Sequence, residues 1–400
     1  MPDIAAVRAQ FPALAGGFAF LENAGGSQLP RSVIEAVKAY MTDNFVQTGA
    51  NYPKSQTATA VVDEAHVFAE EIVNAGSLGK VALGPSTTVL VAMIADAYAQ
   101  RWNPGDEVIV AATNHESNAG PWVRLERVGA VIRHWPIDNE TFRCEPDVLE
   151  TLLNERTRIV TLPHASNLIG QTEDVKRVCE MAHAVGAKVC ADGVAYAPHH
   201  VVDVAELGVD WYVLSLYKTY APHLALLFGR HEAFAEIVGP NHFFIPEASV
   251  PYRWEPGAPN HEACAGLLGL RPYLAFLAGH ETYMGRPTVE AAWAEMERLE
   301  AEPHRRLVEG LKGLGARILG PGEAKEGTSP TISFLLDEPA DVTSARVNGA
   351  ERGIRHGHMY AVRLLDGLGI PREPGVVRAS LTHYNTVEEV DGLLAALAKK

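Results

Sequence analysis

Between residues 80 and 230 the chain repeats one pattern: a short run rich in β-branched and aromatic residues, then a longer stretch with apolar residues at i, i+3 and i+4. Strand-like runs stand at 81–83, 108–112, 130–135, 158–162, 187–191, 211–215 and 224–228. Helix-like stretches lie between most of them. Thr87–Trp102 is closed by NPGD, Glu145–Asn154 follows later, and Glu173–Val185 is ended by Gly186. Neighbouring parallel strands need a long crossover, so a chain that keeps placing a helix between strands builds a largely parallel sheet with helices on its faces. The alternation therefore predicts an α/β fold around a mostly parallel seven-stranded sheet. The last run follows 212–215 closely, which points to an antiparallel member.

Beyond about residue 270 the pattern changes. A long helical stretch covers 288–313. Strand-like pieces at 331–336 and 376–381 then alternate with helices, ending in EEVDGLLAALAKK. This predicts a smaller α+β domain. The expected division is a large domain over 20–270 and a small one over 271–400, joined by residues 1–19. The Pro- and Gly-rich aromatic segment 239–260 reads as a long loop of the kind that serves as a binding loop or an oligomer contact, and is the candidate to cross a dimer interface.

Charge and cysteine usage narrow the function classes. Lys and Arg total 34 against 49 Asp and Glu, a formal charge of −15. That balance argues against a nucleic-acid backbone or an anionic membrane surface as partner. The most apolar stretch, 88–99, is too short to span a bilayer and carries Asp96, and the N-terminus does not read as a signal peptide, so the expected location is cytoplasmic. Cys144, Cys179, Cys190 and Cys264 are scattered with no C-x-x-C pair, so neither a disulfide framework nor a cysteine zinc site is expected, and no metal is assigned.

Open α/β sheets bind ligands beyond the carboxyl ends of their strands, so polar residues there are the candidates. GPSTT at 84–88 follows one strand-like run and opens a helix. Ser86, Thr87 and the free helix N–H groups suit a phosphate, although a Ser/Thr N-cap alone accounts for that pattern. His115 follows VIVAAT, Asn167 follows IVTLPHAS, Asp192 ends AKVCAD, Ser215 ends WYVLS and Lys218 comes three residues later. A carboxylate on one strand end and a lysine near the next suit pyridoxal phosphate. That cofactor needs an amine for a Schiff base, an anion that keeps its pyridine nitrogen protonated, and a hydroxyl-rich phosphate site.

The chain resembles the class V aminotransferase family of pyridoxal-phosphate enzymes, in its cysteine desulfurase-like branch. The resemblance runs from FLENAGGSQLP (20–30) through NHESNAGPW (114–122), HASNLIGQ (164–171) and ADGVAYAPHHVVDVAELGVDWYVLSLYKTYAPH (191–223) to WEPGAPN (254–260) and RASLTHYNTVEEVD (378–391). It implies a fold-type I enzyme, a small α-amino acid as substrate and a homodimer. By position it implies Lys218 as the Schiff-base lysine, Asp192 on the pyridine nitrogen, and His115 stacked on the ring and able to move protons. It further implies Ser86, Thr87 and Ser215 at the phosphate, Asn167 near the ring substituents and substrate, and Arg378 on the substrate carboxylate.

Four positions depart from the family pattern. Ala195 replaces a glutamine, Tyr217 replaces a phosphate-binding histidine for which its hydroxyl can substitute, and Ala258 replaces a threonine. In RHGHMYA (355–361) Tyr360 stands at the place of the persulfide-forming cysteine. With that thiol missing, the resemblance implies a desulfurase-like lyase that forms no persulfide there, with Tyr360 near the substrate. An aminotransferase, an epimerase and a non-catalytic cofactor-binding protein remain alternatives.

Overall fold

The computed structural model describes residues 2–325 and 327–399. In chain order the strands are β1 (Ala19–Phe20), β2 (Gly79–Gly84), β3 (Glu107–Ala111), β4 (Val131–Trp135), β5 (Thr157–Pro163), β6 (Lys188–Asp192), β7 (Trp211–Ser215) and β8 (Ala225–Arg230). They continue with β9 (Arg317–Leu319), β10 (Thr331–Leu335), β11 (Arg352–Gly353), β12 (Arg355–Gly357) and β13 (Val376–Ser380). The large sheet has seven strands in the order β2-β8-β7-β6-β5-β3-β4. β8 runs antiparallel to both of its neighbours, and every other pairing in the sheet is parallel.

The expected α/β architecture is present, and its cause is visible strand by strand. Ile109, Val160, Leu162, Val189, Leu214 and Phe228 face one hydrophobic core. Val108, Val110, Ile159, Val213 and Leu227, one residue out of step, face the other. Both faces are covered, so these strands read as continuous apolar runs. Boundaries move only at the ends. β2 and β8 outrun their apolar cores because Gly79 pairs with Arg230 and Lys80 with Gly229. The crossover helix after β2 closes at Ala99, ahead of NPGD, and the one after β4 is Pro146–Leu152, with proline in its first turn where the missing N–H is harmless.

The smaller sheet is antiparallel, in the order β12-β13-β10-β9, while β1 pairs in parallel with β11. Its core contains Phe334, Val377, Ala379 and Leu393. The 28-residue helix Arg286–Gly313 joins the two cores. Val289, Trp293 and Met296 pack with the large sheet, Leu307 and Leu311 with the small one, and Pro303 lies between. Val7, Phe11 and Leu14 also pack on the large side. These memberships favour a division inside this helix, and we propose it in place of one at 270/271. Among the described residues no helix is long and apolar enough to cross a membrane.

Candidate active site

Each candidate side chain is placed by a strand end. Asp192 is the last residue of β6, and Lys218 ends a single 3-10 turn, Leu216–Lys218, directly after β7. Ser86 caps the helix Thr87–Ala99 after β2, its hydroxyl accepting the Val89 N–H at 3.2 Å. The capping role is therefore real, and the same residue also lines the cleft. Ser86, Thr87, His115, Asn167, Asp192, Ser215, Tyr217 and Lys218 line one cleft together with Thr88, Ser117 and Ala195. The Thr87 and Ser215 hydroxyls are 2.7 Å apart, and Tyr217 stacks on His223.

Burial sets the charge state of the central groups. The Asp192 carboxyl is pushed up to about 6, because burial outweighs the Val194 N–H bond and the attraction of Lys218. One of its oxygens accepts the Val194 N–H at 2.9 Å. The Lys218 amine is pushed down to about 8 by burial and by the Arg378 guanidinium, against the pull of Asp192 and Glu22. His115 is pushed down to about 3 by burial, then by Lys218 and Arg378, so it is neutral at physiological pH. Its Nδ1 accepts the Ser117 N–H at 3.1 Å and lies 2.8 Å from the Ser117 hydroxyl. With Nδ1 accepting, the neutral ring carries its proton on Nε2.

The small sheet supplies the cover. Arg378, on β13, is buried and donates through Nη1 to the Asn167 carbonyl at 2.8 Å. The Asn167 amide donates to the Met359 carbonyl at 2.8 Å, and Glu116, next to His115, donates its N–H to the Tyr360 carbonyl at 2.9 Å. An ion pair from Arg363 to Glu116 holds the same loop. Tyr360 is exposed, adopts a left-handed φ of 60°, and sets its ring 5.4 Å from His115 at a tilt of 40°. All ten residues singled out from the sequence thus come to one place. The flanking His356 and His358 are occupied locally: His356 pairs with the Ser344 hydroxyl, and His358 accepts the Tyr360 N–H. His199 ends a packed turn against Glu300.

Sequence reasoning missed three residues here. Ser117 orients His115, and its signal is its place two residues on in NHESN. Thr88 adds a hydroxyl, as the last letter of GPSTT. Glu22 pairs with Arg378 at 2.7 Å, across 356 residues of sequence, and carries no local signal.

A buried lysine after one strand, a buried carboxylate ending its parallel neighbour and a hydroxyl-lined helix start define the pyridoxal-phosphate class of fold type I. The comparisons fall in the same class. The family model for aminotransferase class-V matches residues 19–393. The aminotransferase-like protein FGM3 of Gibberella zeae is 35% identical over 98% of this chain and 96% of its own length. A cysteine desulfurase of Klebsiella pneumoniae is 30% identical over 98% and 97%. In fold the chain is similar to the apo structure of a cysteine desulfurase from Thermococcus onnurineus, with a TM-score of 0.86 at 23% identity over 100% and 98% of the two chains. The chain belongs to the class-V aminotransferase family, whose members are pyridoxal-phosphate-dependent enzymes.

Proposed function

We propose that the protein is a desulfurase-like lyase that acts on a small α-amino acid and forms no persulfide of its own. One observation carries the reading: the cleft gathers a buried amine and carboxylate with a half-buried imidazole, the buried Arg378 guanidinium is bound to the Asn167 carbonyl at its edge, and no thiol is among the described residues that line it. Cys144, Cys179, Cys190 and Cys264 are all buried, and burial raises each thiol above its ordinary range. Such thiols are poor nucleophiles.

The residues fit the cofactor. The second Asp192 oxygen has no partner among the described residues, and a protonated pyridine nitrogen would satisfy it. Ser86, Thr87, Thr88 and Ser215, with the open first turn of Thr87–Ala99, suit the phosphate. Lys218 would bond to the cofactor aldehyde and Tyr217 would add a hydroxyl. When bound, pyridoxal phosphate supplies an electron sink for the pair released at Cα.

The remaining work falls to the chain. With its proton affinity lowered to about 8, Lys218 can give up and recover a proton near neutral pH and serves as the base at Cα. Arg378 and Asn167 hold the substrate carboxylate, which fixes the bond at Cα that breaks. Neutral His115 would pack against the cofactor ring with its Nε2 proton to donate; it is not a reservoir of positive charge. Tyr360 stands above His115, where its phenol can donate a proton to a leaving group. We further propose that the chain acts as a homodimer. The 239–260 segment supports this, since Phe243, Phe244 and Tyr252 are exposed there.

The test is a screen of amino acids with the cofactor-loaded enzyme, following pyruvate, sulfide and keto acid together. β-Elimination from a three-carbon amino acid releases pyruvate, ammonium and the side-chain fragment. Stoichiometric keto acid with the cofactor left in its amine form would select the aminotransferase reading that the name of the Gibberella relative suggests.

A further inference from the structure

Arg378 does not stand free at the cleft. Its Nη2 donates to Glu22 Oε1 at 2.7 Å, its Nη1 is bound to the Asn167 carbonyl, and its Nε is buried without a partner. Arg355 of β12 is the cross-strand partner of Arg378 of β13, so the two guanidinia share one face of the small sheet. Like charges placed directly opposite repel. Glu22 lies between them, the same Oε1 being 3.7 Å from Arg355 Nη1. One carboxylate therefore serves two guanidinia, of which Arg378 is buried and Arg355 half exposed.

The backbone at Glu22 is fixed, and its carboxylate lies in the space that the missing side chain of Gly25 leaves. Leu21 donates to the Gly353 carbonyl and accepts from the Ser380 N–H, and Glu22 itself bridges to Ser380. Gly25 leaves space under the carboxylate, since a Cβ there would meet both Glu22 oxygens.

We propose that Glu22 is a counter-ion exchanged for substrate. In the free enzyme its carboxylate occupies Arg378. An incoming substrate carboxylate takes Nε and Nη2 of Arg378, and Glu22 turns about its side-chain torsions onto Arg355. The inference rests on the reading of Arg378 as the carboxylate site. The exchange keeps the buried guanidinium paired throughout, avoiding the several kcal/mol that an unpaired buried charge costs. It offers the ligand the bidentate geometry that guanidinium and carboxylate prefer. It also balances charge: two guanidinia face one carboxylate before binding and two after it. A ligand without an anionic group cannot displace Glu22, so the trio selects for carboxylates. Glu22 is a specificity residue and Arg355 its second partner.

The test is calorimetric titration of the cofactor-loaded enzyme with propionate, a carboxylate without an amine. Glu22→Gln should tighten propionate about tenfold, the equivalent of ~1.4 kcal/mol. Arg355→Ala should weaken binding several-fold when Glu22 is present and change little in the Glu22→Gln background, because its task there is gone. Equal effects of Arg355→Ala in both backgrounds, or propionate binding unchanged or weakened by Glu22→Gln, would overturn the exchange. Arg378→Lys separates the two readings. If propionate binding ignores Arg378, the carboxylate site and the exchange both fall; if it depends on Arg378 but the other effects are merely additive, only the exchange falls.

Discussion

Asp192 is held at a cost, and removing its charge should stabilise the empty protein while disabling it. In the apoprotein burial pushes the carboxyl up to about 6 from an ordinary value of 3.8. Between these values the folded state binds more protons than the unfolded one, so stability falls as pH rises through the window, and the penalty is complete above about 6. That rise corresponds to about 3 kcal/mol at pH 8 and to roughly half of it at pH 5. Asp192→Asn removes that charge and keeps an oxygen for the Val194 N–H. Apoprotein carrying it should melt a few degrees higher than wild type at pH 8, with the gain roughly halved at pH 5. With cofactor and substrate the same variant should lose turnover by orders of magnitude. Thermal melting of matched apoproteins across pH 5–8 is the assay. A variant no more stable than wild type at pH 8, or a gain that does not shrink on acidification, would refute the argument that burial raises this carboxyl.

Other outcomes follow from the same geometry. Lys218 is depressed to about 8, and the neutral amine is the form that attacks an aldehyde, so the rate at which apoprotein captures pyridoxal phosphate should rise with pH and level off above about 8; a flat profile from pH 6.5 to 9.5 would contradict this. Arg378→Lys keeps the charge but loses the planar fork, and amino-acid affinity should drop by one to two orders of magnitude, about 1.5–3 kcal/mol; competition binding on the loaded enzyme measures it, and unchanged affinity would count against the assignment. Incubation with cysteine followed by alkylation and mass spectrometry should find no persulfide on any of the four buried cysteines; one that turns over with acceptor thiols would restore a true desulfurase reading.

The large sheet was legible because both of its faces are covered. Runs such as 108–111 and 211–214 are unbroken apolar stretches, and helical periods separate most of them. The antiparallel β8 was legible from the short connection after β7. Candidate residues at strand ends were legible for the same reason, since topology brings those ends to one edge. What the sequence hid depends on pairing across domains. The opposition of Arg355 and Arg378 exists only in the β12–β13 register, and Glu22 reaches them through a two-residue strand that no periodicity reveals. The helical pattern at 288–313 shows the long helix in the sequence. Its crossing from one core to the other is not visible there, because Pro303 sits in a pattern that continues on both sides.

The point of covalent attachment tests the central claim most directly. Protein loaded with pyridoxal phosphate, reduced with borohydride and digested, should carry the reduced cofactor on the peptide containing Lys218 at one per chain, and Lys218→Ala should abolish it. An adduct on another lysine, or none above background in protein that binds the cofactor, would contradict the assignment of this cleft.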